Sequence, residues 1–138
     1  MEEKMKKKIK MNKNQKLNVV NKISELISND SDILFAYIFG SFVQNEAFSD
    51  IDIGIYLKGK ANIKKEFDLE NELEGALKLP VDVRTINNAP ISFVYNILND
   101  KILIKDDEKR VNFEGQALKS YFDYVHLLDE YLKEAVCA

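Results

Sequence analysis

The segment FGSFVQNEAFSDIDIGIYL, from Phe39 to Leu57, carries two aspartates in a run that otherwise has the pattern of a β-strand. From Ser49 to Leu57 an aliphatic residue occupies every second position, which places these residues on one face of the strand and Asp50 and Asp52 on the other. Unpaired buried carboxylates cost several kcal/mol or become protonated. The two aspartates therefore require something that carries positive charge.

A third carboxylate suggests what that charge is. Asp50 and Asp52 share one strand face with their Cα atoms about 7 Å apart, so both can bind one cation. Asp82 interrupts a later alternating strand, Val81 to Ile86, in the same way. Three converging carboxylates can hold two Mg²⁺ ions, which stabilise the attacking and leaving oxygens in phosphoryl transfer. We predict a metal site at Asp50, Asp52 and Asp82, and a substrate that contains phosphate.

Gly40 and Ser41 follow the apolar run Ile33 to Phe39, whose composition predicts a central strand buried on both faces. A strand that ends in glycine and turns toward a short helix presents backbone N–H groups to phosphate, and serine adds a hydroxyl donor. About nine residues separate this strand from the next, too few for a crossover through a full helix, so we expect antiparallel pairing. The phosphate-binding turn then lies beside the carboxylates.

The rest of the chain alternates between helical and strand patterns. Helices are predicted over 17–27, 63–77, 88–98 and 112–136, and a short strand over 101–105. This order predicts an α+β fold, with a mixed, partly antiparallel sheet of about four strands, helices packed on it and a long C-terminal helix. We expect residues 17–138 to form one domain and residues 1–16 to form a basic, flexible extension.

Composition and charge exclude several classes of protein. The net charge is −3, and the first 16 residues hold 7 Lys against 2 Glu, which leaves an acidic body that is poorly suited to nucleic acid. No stretch approaches the roughly 20 apolar residues of a membrane span, and the N-terminus lacks the apolar centre of a secretory signal, so we expect a cytoplasmic protein. One cysteine, Cys137, and one histidine, His126, give no basis for disulfides, a CxxC metal site or Ser-His-Asp catalysis.

The combination of Gly40-Ser41, an eight-residue spacer, Asp50-Ile-Asp52 and a later Asp82 resembles the DNA polymerase β-type nucleotidyltransferase superfamily. Within it, the chain is similar to minimal nucleotidyltransferases of the MNT type from about residue 34 to the C-terminus. The resemblance implies the nucleotidyltransferase fold, a triphosphate held by Gly40 and Ser41, and Mg²⁺, as two ions, held by the three aspartates. It also implies that Asp82 helps to activate the attacking hydroxyl.

MNT proteins commonly act as antitoxins beside a HEPN-domain RNase toxin, and some transfer AMP from ATP to a tyrosine of that toxin. The resemblance therefore implies an Mg²⁺-dependent enzyme with ATP as substrate and a HEPN-type toxin as partner. The aromatic residues of the last helix, Tyr121, Phe122, Tyr124 and Tyr131, are a candidate surface for a homo- or hetero-oligomer.

The turn after Gly40-Ser41 departs from the family pattern in two ways. Its spacer has eight residues where about ten are more usual, and Val43-Gln44-Asn45 replaces the usual Arg-Gly. Two alternatives therefore stay open. One is an antitoxin that neutralises its toxin by binding alone, and the other is a nucleotidyltransferase that modifies a small molecule such as an antibiotic.

Overall fold

A computed structural model describes residues 7–137, and these residues form six strands and five helices around a mixed sheet. The elements are β1 (Ile9–Lys10), α1 (Lys13–Ser28), β2 (Ile33–Phe39), α2 (Ser41–Gln44), β3 (Ala47–Phe48), β4 (Ile51–Leu57), α3 (Ile63–Leu77), β5 (Val81–Thr85), α4 (Ile91–Asn99), β6 (Lys101–Lys105) and α5 (Lys109–Cys137). The predicted α+β class and the long C-terminal helix are confirmed.

The main sheet has four strands in the order β5-β4-β2-β6. β2 pairs antiparallel with β4 and with β6, whereas β4 and β5 are parallel and α3 connects them. The two central strands, β2 and β4, are therefore each hydrogen-bonded to a neighbouring strand at both edges. The predicted antiparallel pairing of the first two long strands is confirmed, because the short connection between them leaves no room for a crossover.

The two faces of the sheet pack against different helices. One face carries an aliphatic core that includes the β4 isoleucines, with α1 and α3 above it. The other face carries a smaller, aromatic core around Phe35 and Tyr37, which Ile97 of α4 and Phe113 of α5 cover. This division follows from the alternation of side chains along β2 and β4.

The N-terminal segment differs from the expectation of a flexible extension over residues 1–16. Ile9 and Lys10 pair antiparallel with Phe48 and Ala47, and α1 begins at Lys13. A two-residue strand has no periodicity to recognise, and the first turn of α1 has few apolar positions, so the sequence pattern missed both. Residues 1–6, the remainder of that predicted extension, lie outside the described residues.

The other predicted elements lie close to their expected positions. α3 and β6 have the predicted bounds, while α1 and α5 are each several residues longer than their apolar periodicity indicated. α4 begins after Pro90, which occupies the N-cap position. Among residues 7–137, no helix combines the length and the apolar character needed to cross a membrane.

Candidate functional site

The strand register aligns two of the predicted carboxylates across neighbouring strands. Asp52 of β4 is the Cα partner of Asp82 of β5 and also of Phe39 of β2, and Phe39 in turn pairs with Lys101 of β6. Paired residues lie on the same face of a sheet, with adjacent strands about 4.8 Å apart. Asp82, Asp52, Phe39 and Lys101 thus form one row across the sheet, here called the Asp52 row, in which Asp82 and Asp52 are direct neighbours.

Asp50 lies immediately before β4, two residues from Asp52. Beyond Asp52 the same face of β4 continues through Gly54, where an added Cβ would lie 3.1 Å from Ile86 and 3.6 Å from Ile97. The carboxylates therefore stand at the edge of the aromatic core, where the apolar covering of this sheet face ends. The alternating pattern of residues 49–57 predicted the strand face but not this position along it.

Gly40 brings the predicted phosphate-binding turn against Asp52. It follows β2 with φ 79° and ψ −155°, a left-handed conformation that favours glycine. A Cβ at this position would overlap Oδ2 of Asp52 and lie 3.2 Å from its Cγ. Both the backbone conformation and the approach of the Asp52 carboxylate thus require glycine here.

Ser41 begins the single-turn helix α2, which matches the predicted turn toward a short helix. The carbonyl of Gly40 accepts hydrogen bonds from the N–H groups of Val43 and Gln44 at 3.0 and 3.1 Å. Phe42 is fully buried and packs edge-to-face on Phe48. The turn is thus anchored to the aliphatic core by one aromatic side chain, and Ser41 lies beside the carboxylate row.

Asp82 has a cationic neighbour on its own strand. Nε of Arg84 lies 3.7 Å from Oδ2 of Asp82, and both side chains are more than one-third exposed. An ion pair this exposed contributes little to stability. Arg84 therefore adds positive charge close to the third carboxylate and remains accessible to a ligand.

The oxygen donors at this site fit Mg²⁺ in kind, because Mg²⁺ prefers carboxylate and phosphate oxygens. Asp52 and Asp82 are adjacent donors from two strands. Within residues 7–137, however, no group of three or more Asp, Glu, His or Cys side chains is arranged to hold a metal ion. Binding by all three aspartates together stays a prediction.

Comparison with protein families matches residues 21–110, more than half of the chain, to the family described as polymerase beta, nucleotidyltransferase. The chain belongs to the polymerase β nucleotidyltransferase family. The predicted enzyme class, nucleotidyltransferase, is thereby confirmed. No curated protein matches the chain.

Solved structures share the nucleotidyltransferase fold. A tri-AMPylated Shewanella oneidensis HEPN toxin in complex with MNT antitoxin matches at 20% identity and a TM-score of 0.66, over 89% of this chain and 99% of that one. A toxin–antitoxin with AMP-PNP matches at 20% identity and a TM-score of 0.67, over 88% and 99%. The MntA–HepT toxin–antitoxin matches at 19% identity and a TM-score of 0.65, over 88% and 99%. The predicted similarity to MNT-type nucleotidyltransferases is confirmed at the level of the fold.

The sequence pattern did not single out two of the residues around this candidate site, Arg84 and Lys101. Arg84 could have been found, because alternation places it on the same strand face as Asp82. Lys101 could not, because its place in the Asp52 row depends on the register of β6. Its ammonium lies 3.6 Å from Glu114 and 5.9 Å from the centre of the Tyr37 ring.

Glu114 connects α5 to Tyr37 of β2 in the sheet. The hydroxyl of Tyr37 donates to Oε1 of Glu114 at 2.9 Å, and Nη1 of Arg110 donates to Oε2 at 2.8 Å. Burial of Tyr37, followed by this hydrogen bond to a carboxylate, raises the pKa of the Tyr37 hydroxyl far above its usual value. The first turns of α5 are therefore fixed by a polar network as well as by Phe113.

The predicted aromatic stripe of α5 is divided between two environments. Tyr121 stacks on Tyr95 of α4 with ring centres 3.8 Å apart. Tyr124 and Tyr131 are exposed, and so are Leu128 and its neighbours on the same helix. The first half of α5 thus packs on the domain, and the second half presents apolar side chains to solvent.

Proposed function

We propose that the chain is an Mg²⁺-dependent nucleotidyltransferase that transfers AMP from ATP to a tyrosine of a HEPN-type toxin and thereby acts as its antitoxin. The observation that carries the proposal is the close approach of Gly40 to Asp52, with Asp82 beside it. The solved complexes of MNT antitoxins with HEPN toxins, one of them tri-AMPylated, support the choice of nucleotide and partner.

Each site residue has a role in this reaction. Gly40 and Ser41 bind the triphosphate with backbone N–H groups and the serine hydroxyl. Asp50, Asp52 and Asp82 would hold Mg²⁺, as two ions, and the bound metal would neutralise the charge that develops on the phosphate oxygens. Asp82 accepts the proton of the attacking hydroxyl, which approaches the α-phosphate in line with the departing pyrophosphate. Most of the acceleration comes from positioning and charge neutralisation.

The acceptor and its surface are part of the proposal. The exposed second half of α5, with Tyr124, Leu128 and Tyr131, is the surface that we assign to the toxin. Exposed apolar residues that recur along one helix are typical of protein interfaces. The first turns of α5 pack through Phe113 on the sheet face that carries Asp52 and Asp82.

The test is AMP transfer to a HEPN-type toxin, taken from the adjacent gene where that gene encodes one. We expect incubation with ATP and Mg²⁺ to increase the intact mass of the toxin by whole AMP units, with the label on tyrosine. Asp52→Asn should reduce transfer at least about 10²–10³-fold, since charge stabilisation at the reacting phosphate is lost. Asp68→Asn, on the exposed side of α3, is the matched control and should leave transfer unchanged.

A stable complex that gives no mass change under these conditions would contradict the enzyme and favour the second candidate, neutralisation by binding alone. The replacement of the family's Arg-Gly by Val43-Gln44-Asn45, together with the exposed α5 surface, favours this candidate. Folded Asp50→Ala and Asp52→Ala variants separate the two in cells. A binding antitoxin keeps its protection with either variant, whereas an enzyme loses it.

A further inference from the structure

α2 is a single helical turn, too short to be stable without support from the rest of the protein. The last carbonyls of a helix have no partner within it and need donors from elsewhere. Ser41 O receives the N–H of Asn45 at 2.9 Å, which closes the turn. The carbonyl of Phe42 is satisfied by a residue far away in the sequence.

That residue is Lys16 of α1. Its Nζ donates to the carbonyl of Phe42 at 2.6 Å and also to the carbonyl of Asn45. The same ammonium lies 5.2 Å from the centre of the Phe42 ring and 5.7 Å from that of Phe48. One cation thus contacts residues near the beginning and near the end of the segment that joins Ser41 to β3, and it also lies within cation–π distance of two aromatic rings.

Lys16 is itself held in place by the start of α1. Its backbone N–H donates to the carbonyl of Asn12 at 3.0 Å. Asn12 and Gln15 form a reciprocal capping box, with hydrogen bonds of 2.8 and 2.9 Å. A few residues earlier, Ile9 pairs with Phe48. The N-terminal segment therefore holds the 41–48 segment through both β1 and Lys16.

Packing alone does not fill the space between α1 and this turn. A surface cavity of about 630 Å³ lies there, lined by Lys10, Lys13 and Lys16 on one side and Gln44 and Asn45 on the other. Because open space separates α1 from the turn, a side chain that hydrogen-bonds across it contributes strongly to the distance between them. Lys16 is this side chain.

We propose that Lys16 is a positioning residue that holds the Gly40-Ser41 turn against Asp52 in the geometry that the triphosphate requires, an inference that rests on the proposed function. Phe42, fully buried, transmits the restraint, because α2 cannot shift without displacing it from the core. Gly40 directly precedes α2 and already approaches the Asp52 carboxylate closely, so a small movement changes both phosphate and metal binding. Val43-Gln44-Asn45 lacks the arginine of the family pattern, and Lys16 of α1 supplies a positive charge to this turn instead. Lys16 contacts the turn and not the ligand.

The experiment compares Lys16→Met, which keeps the aliphatic stem, with Lys16→Arg, in the full chain. Lys13→Met is the matched control, since Lys13 lines the same cavity but its side chain makes no hydrogen bond or ion pair with residues 7–137. Three experiments are run where all variants are folded. They measure the Kd for AMP-PNP with Mg²⁺, KM and kcat in AMP transfer, and hydrogen exchange of the amides of 41–45.

We expect Lys16→Met to weaken AMP-PNP binding and to raise KM about ten-fold, with a smaller effect on kcat, because a hydrogen bond to a charged group is lost behind the turn. Exchange at 41–45 should accelerate in Lys16→Met alone, and Lys16→Arg should restore both properties. A folded Lys16→Met with a Kd and exchange rates within two-fold of the unchanged protein would overturn the inference.

The outcomes separate this inference from the proposed function. If the unchanged protein fails to bind AMP-PNP, the proposed function falls, and faster exchange at 41–45 in Lys16→Met still upholds the restraint on the turn. If Lys16→Met does not fold, Lys16→Gln, which keeps one donor, takes its place with an expected intermediate Kd. A lower unfolding midpoint with an unaltered Kd would show a purely structural role and contradict positioning.

Discussion

The two faces of the central sheet are built from the same strands but serve different purposes. On the face beneath α1 and α3, every β4 side chain from Ile51 to Leu57 that points inward is aliphatic and almost completely buried. On the opposite face the aromatic core ends where Asp52 and Asp82 stand side by side. A period of two along one strand therefore separates residues that stabilise the fold from residues that line the proposed site.

The largest expected effect is the difference in stability between variants of two neighbouring β4 residues, Ile53 and Asp52. Ile53→Ala removes a fully buried side chain from the aliphatic core and should lower the free energy of unfolding by about 2–5 kcal/mol. Asp52→Asn should change it by less than about 1 kcal/mol, because Asp52 lies next to another carboxylate and outside that core. Urea denaturation of both variants measures the difference. Equal losses would show that the two faces are not separable.

The second-largest effect is expected from alanine substitution at two glycines with positive φ, one at the site and one away from it. Gly40 has φ 79° and Gly59 has φ 100°, but a Cβ at Gly59 meets no atom within 4 Å, whereas one at Gly40 overlaps Asp52. Alanine at either position costs about 1–2 kcal/mol of backbone strain. Only Gly40→Ala should also displace the carboxylate, and we expect AMP transfer to fall about 10²-fold.

Gly59→Ala is the matched control for that experiment. It should lose only the backbone-strain part of the stability that Gly40→Ala loses, as measured by urea denaturation, and should retain full transfer by intact-mass analysis of the toxin. A Gly40→Ala variant that transfers AMP at the rate of Gly59→Ala would contradict the role of the Gly40–Asp52 approach.

The sequence predicts which residues of β4 share a face, but it does not predict which residues of other strands lie beside them. The alternation of Asp50 and Asp52 with isoleucines predicts both the strand and the shared face of the two carboxylates, because period-two patterning is local. The partnership of Asp52 with Asp82 depends on the register of a parallel strand more than twenty residues away, which no local pattern specifies. Lys16 is hidden in a lysine-rich segment, and only its contact with Phe42 distinguishes it.

Tyr37 provides the smallest and most specific test, since it joins the aromatic face to α5 through Glu114. The pKa of its hydroxyl is raised in the folded protein. Above the ordinary tyrosine pKa of about 10, the unfolded chain loses this proton while the folded chain keeps it. The contribution of the Tyr37 hydroxyl to the free energy of unfolding is therefore fully present below about pH 10. Above that pH it falls by about 1.4 kcal/mol per pH unit.

Tyr37→Phe should cost roughly 1 kcal/mol at pH 7, where one hydrogen bond to Glu114 is lost while Arg110 still holds the carboxylate. The variant lacks the tyrosine that resists ionisation, so its stability should approach and then exceed that of the unchanged protein between pH 10 and 11. Tyr124→Phe, at an exposed position of α5, should follow the unchanged protein throughout. Urea denaturation at pH 7, 10 and 11 measures all three. Parallel curves for Tyr37→Phe and the unchanged protein would mean that Tyr37 ionises as easily in the folded chain as in the unfolded one, and that Glu114 does not anchor α5 through it.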